Sequence, residues 1–300
     1  MSSNPQEPGR PAHESSEPPR NYVDAEVVEP TSQWRPPQKS GFPTVPAVLY
    51  VLTWISTSIV GGLTYSTALL FTLTAHELGH FLQARRYRVR ASWPYFIPVP
   101  LPPIGTMGAV IGMPGGLGDR RSLFDIAITG PLAGLIPAIV FSIVGLSLSE
   151  VHVVDPRQPR LSLGEPLLFK LFVYQVFGSL PEGHDVFLHP LAFAGWVGIF
   201  ITALNLIPVS QLDGGHIFYA LLGPASWPIA WALLIAAAAA VVIFGAYQWM
   251  LLIVLVFLFG PAHPPTANDR VPLGPTRTVL GWLSLAFVIV GFTPQPFIPN

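Results

Sequence analysis

His76-Glu77-Leu78-Gly79-His80 lies near the end of a long apolar run, and the interpretation of the whole chain depends on it. In an α-helix, residues four apart share a face, so the imidazoles of His76 and His80 converge with Glu77 beside them. Two imidazoles begin a zinc site, but a catalytic zinc ion takes three protein ligands and leaves a fourth position for water. Because the chain contains no cysteine, the third ligand has to be a carboxylate or another histidine.

The composition is that of a membrane protein. Of the 300 residues, 51% are hydrophobic and 10% are charged, against roughly 25% charged in an ordinary soluble domain. The formal net charge of -1 gives no argument for a nucleic-acid partner. The lack of cysteine excludes disulfides, thiolate metal ligands and a cysteine nucleophile.

The first 41 residues differ from the rest of the chain. They are rich in Pro, Ser, Glu and Gln, so they bury too little apolar surface to offset the entropy of ordering. We expect a disordered Pro-rich cytoplasmic tail at 1–41, a linker or alternatively a partner-binding arm, and one lipid-embedded domain at 42–300. The tail resembles neither a secretory signal nor a transit peptide, which favours a prokaryotic plasma membrane over a plastid.

The apolar segments predict an all-α, polytopic membrane protein with about six to seven transmembrane helices. Gly61-Gly62 separates a first segment, about 46–61, from a second, about 63–87, that carries both histidines. The arginines at 85, 86, 88 and 90 mark the cytoplasmic side, which places the N-terminus and the active site near the cytoplasm. The later spans are expected at about 123–148, 191–207, 228–246, 248–259 and 278–292.

Residues 94–118 are almost uncharged, but their prolines and glycines exclude a continuous helix. Non-helical backbone at membrane depth has to be covered by protein or line a watery cavity. We therefore expect a re-entrant β-like hairpin around 105–113, with an interfacial loop as the alternative. Its edge is suited to pairing with an extended peptide. The candidate substrate-binding residues are Gly105, Thr106 and Gly108 in this edge, and Pro208.

The third helix carries two features of interest. Asp125, near its start, is expected to cap the helix or interact with its dipole, the alternative being support of the metal site. Gly130, Ala133 and Gly134 predict close packing against another helix. Residues 150–183 predict a polar outer loop with an amphipathic piece at 167–177. The histidines in or next to this loop, His152, His184 and His189, are expected to be solvated or interfacial.

Asp213 is the candidate for the missing ligand. It follows Pro208, which ends the fourth helix, and it precedes Gly214-Gly215, so we expect unwound backbone inside the membrane. An ionised aspartate there costs roughly 2.5 to 3.5 kcal/mol and persists only with a partner, for which a divalent metal is suited. The second and fourth helices both end on the cytoplasmic side, so the three ligands reach similar depth.

The pairing of these motifs resembles the site-2 protease family of intramembrane zinc metalloproteases, peptidase family M50. The second motif reads Asn205-Leu-Ile-Pro-x-x-x-Leu-Asp213-Gly-Gly. The resemblance covers about residues 45–299 and is to the branch with plant chloroplast and bacterial members, without a PDZ domain. Further similar stretches are Pro94-Tyr-Phe-Ile-Pro, Gly105-Thr-x-Gly-Ala, Arg121-Ser-Leu-Phe-Asp125-Ile, Gly130-Pro-Leu-Ala-Gly134, His189-Pro-Leu-Ala-x-Ala-Gly-Trp and His263-Pro-Pro.

The resemblance implies that His76, His80 and Asp213 bind one Zn²⁺ per chain and that Glu77 is the general base. It implies that Asn205 contacts the oxyanion or the substrate backbone, with a helix–helix hydrogen bond as the alternative. His216 is a weaker candidate for supporting the ligands.

The implied partners are the lipid bilayer and a membrane-protein substrate whose transmembrane helix is cleaved. No nucleic acid is expected, and an adaptor and the oligomeric state stay open. The alternative functions are an inactive metal-binding scaffold and a metal or proton transporter. Glu77 argues against the scaffold, and the lack of an internal repeat argues against the transporter.

Overall fold

A computed structural model of the chain describes residues 43–113, 118–154 and 161–299, so the predicted tail at 1–41 lies outside the described residues. The described chain is mostly helical, as expected. Within it, three helices are long and apolar enough to cross a membrane: Thr44–Arg86, Arg120–Ser147 and Asp213–Phe244. Shorter apolar helices accompany them. The count of six to seven crossings stays a prediction.

The first helix, α1 (Thr44–Arg86), folds back on itself at Gly62. Gly62 has φ 81° and ψ 173°, a conformation that residues with a side chain rarely adopt. In a straight helix, Thr57 and Ser66 would lie roughly 13.5 Å apart along the axis, yet their hydroxyl oxygens are 2.6 Å apart. The arms 44–61 and 63–86 therefore form the two-helix unit that Gly61-Gly62 predicts.

A β-hairpin follows α1. Strands β1 (Tyr95–Pro98) and β2 (Thr106–Val110) pair antiparallel. The hairpin is fixed to the first arm of α1, where the Ser56 hydroxyl donates to the Gly105 carbonyl at 2.6 Å. The predicted hairpin is thus present, while its re-entry into the membrane stays a prediction.

Helix α2 (Arg120–Ser147) packs between α1 and α4 (Pro190–Asn205) at close distance. A Cβ on Gly145 of α2 would lie 2.1 Å from the backbone nitrogen of Ala192 in α4. The fully buried Trp196 of α4 lies in the main hydrophobic core. The lack of a side chain on Gly145 therefore allows the backbones of α2 and α4 to approach closely.

Helix α2 begins earlier than the sequence predicts, at Arg120. Asp119 is its cap: the Asp119 carboxylate accepts the Ser122 N–H at 2.8 Å, and the Ser122 hydroxyl oxygen accepts the Asp119 N–H at 2.9 Å. The prediction that Asp125 caps the helix is wrong. Asp125 instead accepts two hydrogen bonds of 2.8 Å from Arg277 and one from Tyr87, joining α2 to the end of α1 and to a C-terminal helix, α8 (Pro275–Gly291).

The predicted polar outer loop is a small folded layer. The predicted amphipathic piece is helix α3, which buries Phe169, Phe172 and Val173 in the core. The described residues form three two-stranded sheets, so the chain is mostly helical rather than all-α. Strands of three or four residues are too short to give a clear alternating pattern. The elements of this layer are β3 (Glu150–Val153), β4 (Leu161–Leu163), α3 (Leu167–Phe177), β5 (His184–Phe187) and the C-terminal β6 (Phe297–Pro299).

The three outer histidines differ in their surroundings. His152 is exposed, as expected, whereas His184 and His189 are half-buried. The Nδ1 atom of His189 accepts the N–H of Leu191 at 3.2 Å and caps α4. Free N–H groups at a helix start need such acceptors, so His189 has a structural role as a helix cap, while its place at the membrane interface stays a prediction.

The C-terminal half returns to the site through the segment 260–274. The helices of this C-terminal half are α5 (Asp213–Leu222), α6 (Ser226–Phe244), α7 (Met250–Phe259) and α8 (Pro275–Gly291). Segment 260–274, between α7 and α8, is held against α5 by a hydrogen bond of 2.7 Å from the Tyr219 hydroxyl to Asp269. It is held against α2 by Arg121, whose Nε donates to the Pro272 carbonyl at 2.6 Å.

Candidate metal centre and active site

His76, His80 and Asp213 converge, although Asp213 follows His76 by 137 residues. The Nε2 atoms of the two histidines are 3.1 Å apart. Asp213 Oδ2 lies 3.1 Å from His76 Nε2, and Asp213 Oδ1 lies 3.2 Å from His80 Nε2. Zinc bonds of about 2.0 to 2.1 Å in a tetrahedron place ligand atoms about 3.3 to 3.4 Å apart. The three side chains therefore fit a zinc ion that keeps a fourth position open.

The orientation of His80 is fixed by α2. Its Nδ1–H donates to the Ile126 carbonyl at 2.7 Å, which leaves the lone pair on Nε2, the atom that faces the other ligands. A Cβ on Gly130 would lie 2.0 Å from His80 Nε2, and one on Gly134 would lie 2.9 Å from His76 Cβ. The prediction of close packing at these glycines is confirmed. Their lack of a side chain also gives the two imidazoles their space.

Asp213 is the first residue of α5, after the non-helical residues 206–212 that contain Pro208. The predicted unwound backbone is present at 206–212, but the prediction that it includes Asp213 is wrong, because Asp213, Gly214 and Gly215 are helical. The two glycines are needed for close approach: a Cβ on Gly214 would lie 2.1 Å from the Leu206 carbonyl oxygen, and one on Gly215 would lie 2.3 Å from that of Ser210. This packing holds the start of α5 against the chain that leaves α4.

Glu77 and Asn205 lie at the same centre. Glu77 is buried, with 6% of its surface exposed, and it lines a cavity of about 290 Å³ together with the three ligands. Asn205 is the last residue of α4, and its Nδ2 lies 3.5 Å from His76 Nε2, at the limit of a hydrogen bond. Its amide thus points to the metal centre and contacts a residue of α1. Whether Asn205 contacts the substrate stays a prediction.

The hairpin forms one wall of the cavity through Ala109 and Val110 of β2. The four residues predicted to bind substrate, Gly105, Thr106, Gly108 and Pro208, are not among the described residues that line it. Gly105 contacts α1, and Thr106 stabilises the hairpin: its hydroxyl donates to the Ile97 carbonyl at 2.8 Å and accepts the Gly108 N–H at 3.0 Å.

Segment 260–274 forms a wall of the cavity that the residue patterns in the sequence did not predict. His263, Pro264, Pro265 and Thr266 line the cavity, as does His216 of α5. Burial lowers the pKa of His263 below its ordinary value, so its ring is neutral at pH 7. The distance along the sequence between residues 76 and 263 does not predict that they lie close together. The one sequence signal for segment 260–274 was the similarity of His263-Pro-Pro to the family.

The chain is similar to a known protein family and to several curated proteins. The family model described as "Peptidase family M50" matches residues 64–244, a range that contains all three candidate ligands, Glu77 and Asn205. The chain is 31% identical to "Probable zinc metalloprotease EGY1, chloroplastic" of Arabidopsis thaliana over 241 residues, 74% of this chain and 41% of that protein. It is 29% identical to "Probable zinc metalloprotease EGY2, chloroplastic" of the same plant over 241 residues, 79% of this chain and 42% of that protein.

A rice relative, "Probable zinc metalloprotease EGY1, chloroplastic" of Oryza sativa subsp. japonica, is 37% identical over 145 residues, 47% of this chain and 25% of that protein. The chain thus spans about two fifths or less of the length of these curated relatives. No solved structure is significantly similar to it.

Proposed function

Because the chain belongs to peptidase family M50, we propose that it is an intramembrane zinc endopeptidase that cleaves other membrane proteins within or near their transmembrane helices. The observation that carries the proposal is the convergence of two imidazoles and a carboxylate, with ligand atoms 3.1 to 3.2 Å apart, beside the buried Glu77. This arrangement opens onto a cavity rather than closing in the protein interior, as a catalytic metal site requires.

Each residue of the centre has a distinct role in peptide hydrolysis. His76, His80 and Asp213 hold the metal. A bound zinc ion would lower the pKa of a water molecule and polarise the peptide carbonyl. Glu77 accepts a proton from the water as its oxygen adds to the carbonyl carbon. It returns the proton to the leaving nitrogen as the C–N bond breaks.

Asn205 contributes by contact with the substrate. In the described geometry, its amide nitrogen lies 3.5 Å from His76 Nε2. A metal held by His76 would occupy that imidazole nitrogen, and the amide would then be left to donate to the oxygen of the scissile peptide. Removing one such donor commonly costs roughly 10² to 10³ in kcat.

The substrate reaches the site in extended form, because a helix hides its carbonyl groups in internal hydrogen bonds. β2 pairs with β1 on one side, and within the described residues its other edge has no strand partner. We propose that the substrate adds as a strand along this edge, next to Ala109 and Val110 in the cavity wall. Thr106 and Gly108 then act by shaping the strand, and Gly105 by anchoring it to α1.

The membrane setting is part of the proposal. The arginines that end α1 and follow it support a centre near the cytoplasmic face. The prokaryotic plasma membrane stays a prediction, since the curated relatives are described as chloroplastic. Filtering of substrates by a PDZ domain is not part of the proposed mechanism, because the interval between the two metal motifs holds the hairpin, α2 and the small outer layer.

Substituting Glu77→Gln in the full chain tests the proposed function. We expect the variant to keep one zinc per chain and to lose cleavage of a reconstituted transmembrane substrate. Glu182→Gln, the same change at an exposed position, is the control and should cleave normally. Cleavage by Glu77→Gln at the wild-type rate would refute the mechanism. Zinc or proton flux into vesicles that depends on Glu77, without proteolysis, would favour a transporter.

A further inference from the structure

Two histidines outside the ligand set face the same cavity as the metal centre. His216 belongs to α5 and His263 to segment 260–274, and both line the cavity with Glu77 and the three ligands. Their rings are in contact, with centroids 4.7 Å apart and planes at 82°. In the proposed reaction as described so far, neither has a role.

The side chain of His216 has an unsatisfied nitrogen. Its Nδ1 is buried and, within the described residues, has no hydrogen-bond partner. Buried polar atoms are almost always paired, so such an atom requires an explanation. His216 follows Asp213 by three residues, which places the two side chains on neighbouring parts of one helix face. The side chain of His216 therefore lies on the same side of α5 as the metal ligand, and it lines the cavity.

His263 is held in place on several sides. Its Nδ1–H donates to the Pro264 carbonyl at 2.5 Å, and its own carbonyl accepts the Trp227 indole N–H at 2.8 Å. Its ring lies 4.9 Å from the ring of Tyr219, whose hydroxyl is fixed by Asp269. A ring that is constrained in this way forms a rigid support for its neighbour His216.

We propose that His216 is a further catalytic residue, which donates a hydrogen bond from Nδ1 to the oxygen of the scissile peptide, and that His263 is a positioning residue that holds the His216 ring. The inference rests on the proposed function. As water adds to the carbonyl carbon, negative charge develops on the carbonyl oxygen, and a preformed donor stabilises that charge more than the neutral carbonyl. His216 transfers no proton. It acts by a hydrogen bond that the substrate completes.

A second metal site is the competing explanation for two adjacent histidines. Among the described residues, however, the one group of three or more side chains that can hold a metal is His76, His80 and Asp213. The T-shaped contact of the two imidazoles, and the bond from His263 Nδ1 to its own chain, also fit a packed pair better than a pair of ligands.

The test compares two replacements of His216 in the zinc-loaded full chain. His216→Leu fills the space without a donor, whereas the side-chain amide of His216→Asn retains a donor near the Nδ1 position. His152→Leu, at an exposed histidine, is the matched control. The measurements are kcat and KM for a reconstituted transmembrane substrate, zinc content, thermal unfolding, and the affinity for a peptide phosphinate, a tetrahedral analogue of the reacting peptide.

We expect His216→Leu to lower kcat on the order of 100-fold with little change in KM, as for loss of a donor to the developing charge. Phosphinate affinity should fall by a similar factor, with zinc content unchanged. His216→Asn should recover most of both losses. His263→Phe, which keeps a ring against His216, should stay closer to wild type than His263→Ala.

Three results would overturn the assignment: a kcat for His216→Leu within threefold of wild type, an Asn variant as slow as the Leu variant, or loss of zinc in parallel with activity.

The proposed function has a separate check in the same experiment. If wild-type protein binds zinc but cleaves no membrane substrate, the function itself is refuted. If Glu77-dependent cleavage by His216→Leu stays within threefold of the wild-type rate, the role of His216 alone is refuted.

Discussion

Replacing Gly130 with alanine tests how the protein positions its metal ligands. The added Cβ would lie 2.0 Å from His80 Nε2 and 2.4 Å from both adjoining ring carbons. Since non-bonded heavy atoms need roughly 3.5 Å, the ring has to retreat by about 1.5 Å. Zinc sites tolerate only about 0.2 Å in a ligand distance. A shift of that size also breaks the 2.7 Å bond from His80 Nδ1 to the Ile126 carbonyl.

We expect Gly130→Ala to raise the dissociation constant for zinc by at least 10- to 100-fold, the range for loss of a group that orients a ligand. That factor corresponds to about 1.4 to 2.7 kcal/mol. The helix itself should not suffer from the change, because alanine is favoured over glycine in a helix interior by about 0.8 to 1 kcal/mol. The loss should therefore fall on metal binding and on cleavage rather than on secondary structure.

Competition against a chelator of known affinity, in detergent-solubilised protein, measures the effect. Circular dichroism and thermal unfolding in the presence of a chelator report on the zinc-free fold. Gly112→Ala is the control, because a Cβ there would meet nothing closer than the Ser92 hydroxyl at 3.5 Å. Zinc affinity of Gly130→Ala within threefold of wild type would refute the role assigned to this glycine.

Two other substitutions test the turn of α1 and the wall of the cavity. Gly62→Ala should lower the free energy of unfolding by about 1 to 3 kcal/mol, the cost of a residue held in a glycine-only region. A Cβ at this position would meet no atom within 4 Å, so the loss would come from backbone strain and not from a clash. Unchanged stability would contradict backbone strain at the turn. Ala109→Trp should lower kcat/KM for a transmembrane substrate at least tenfold while zinc content stays at one per chain, because the indole fills the cavity beside β2. Met107→Trp, at an exposed position of the same strand, is its control, and equal activity of the two variants would argue against substrate entry along β2.

Local features of the fold could be predicted from the sequence because their causes are local. Gly61-Gly62 between two apolar runs predicts a turn, and Gly62 does adopt positive φ there. The spacing of His76 and His80 fixes their common face within one helix, whatever the rest of the chain does. Asp213 could be selected as a candidate ligand because an ionised aspartate at membrane depth needs a partner. It lies beside His76 and His80, with which it can hold a metal ion.

Features that depend on distant residues could not be predicted. Asp125 resembles a capping residue by position, but its partner Arg277 lies 152 residues away. The contact between His216 and His263 requires segment 260–274 to return to α5, and neither composition nor periodicity encodes that path. The tight packing of Gly214 against the Leu206 carbonyl likewise follows from how α5 leaves α4. In each case the deciding contact joins elements whose pairing is set by tertiary packing.

The glycines of α2 combine a local sequence pattern with a contact between distant parts of the chain. Gly130 of α2 faces His80 of α1, and Gly134 faces His76. The two glycines are four residues apart, as are the two histidines, but the order along the chain is opposite in the two helices. This register requires the second arm of α1 and α2 to run antiparallel, which agrees with the alternation expected of consecutive membrane-spanning helices. An imidazole that binds a metal between two packed helices needs space for its ring. A glycine at the facing position of the other helix provides that space. Small residues with the same spacing as the histidines therefore indicate both close helix packing and the space in which the ligands are held.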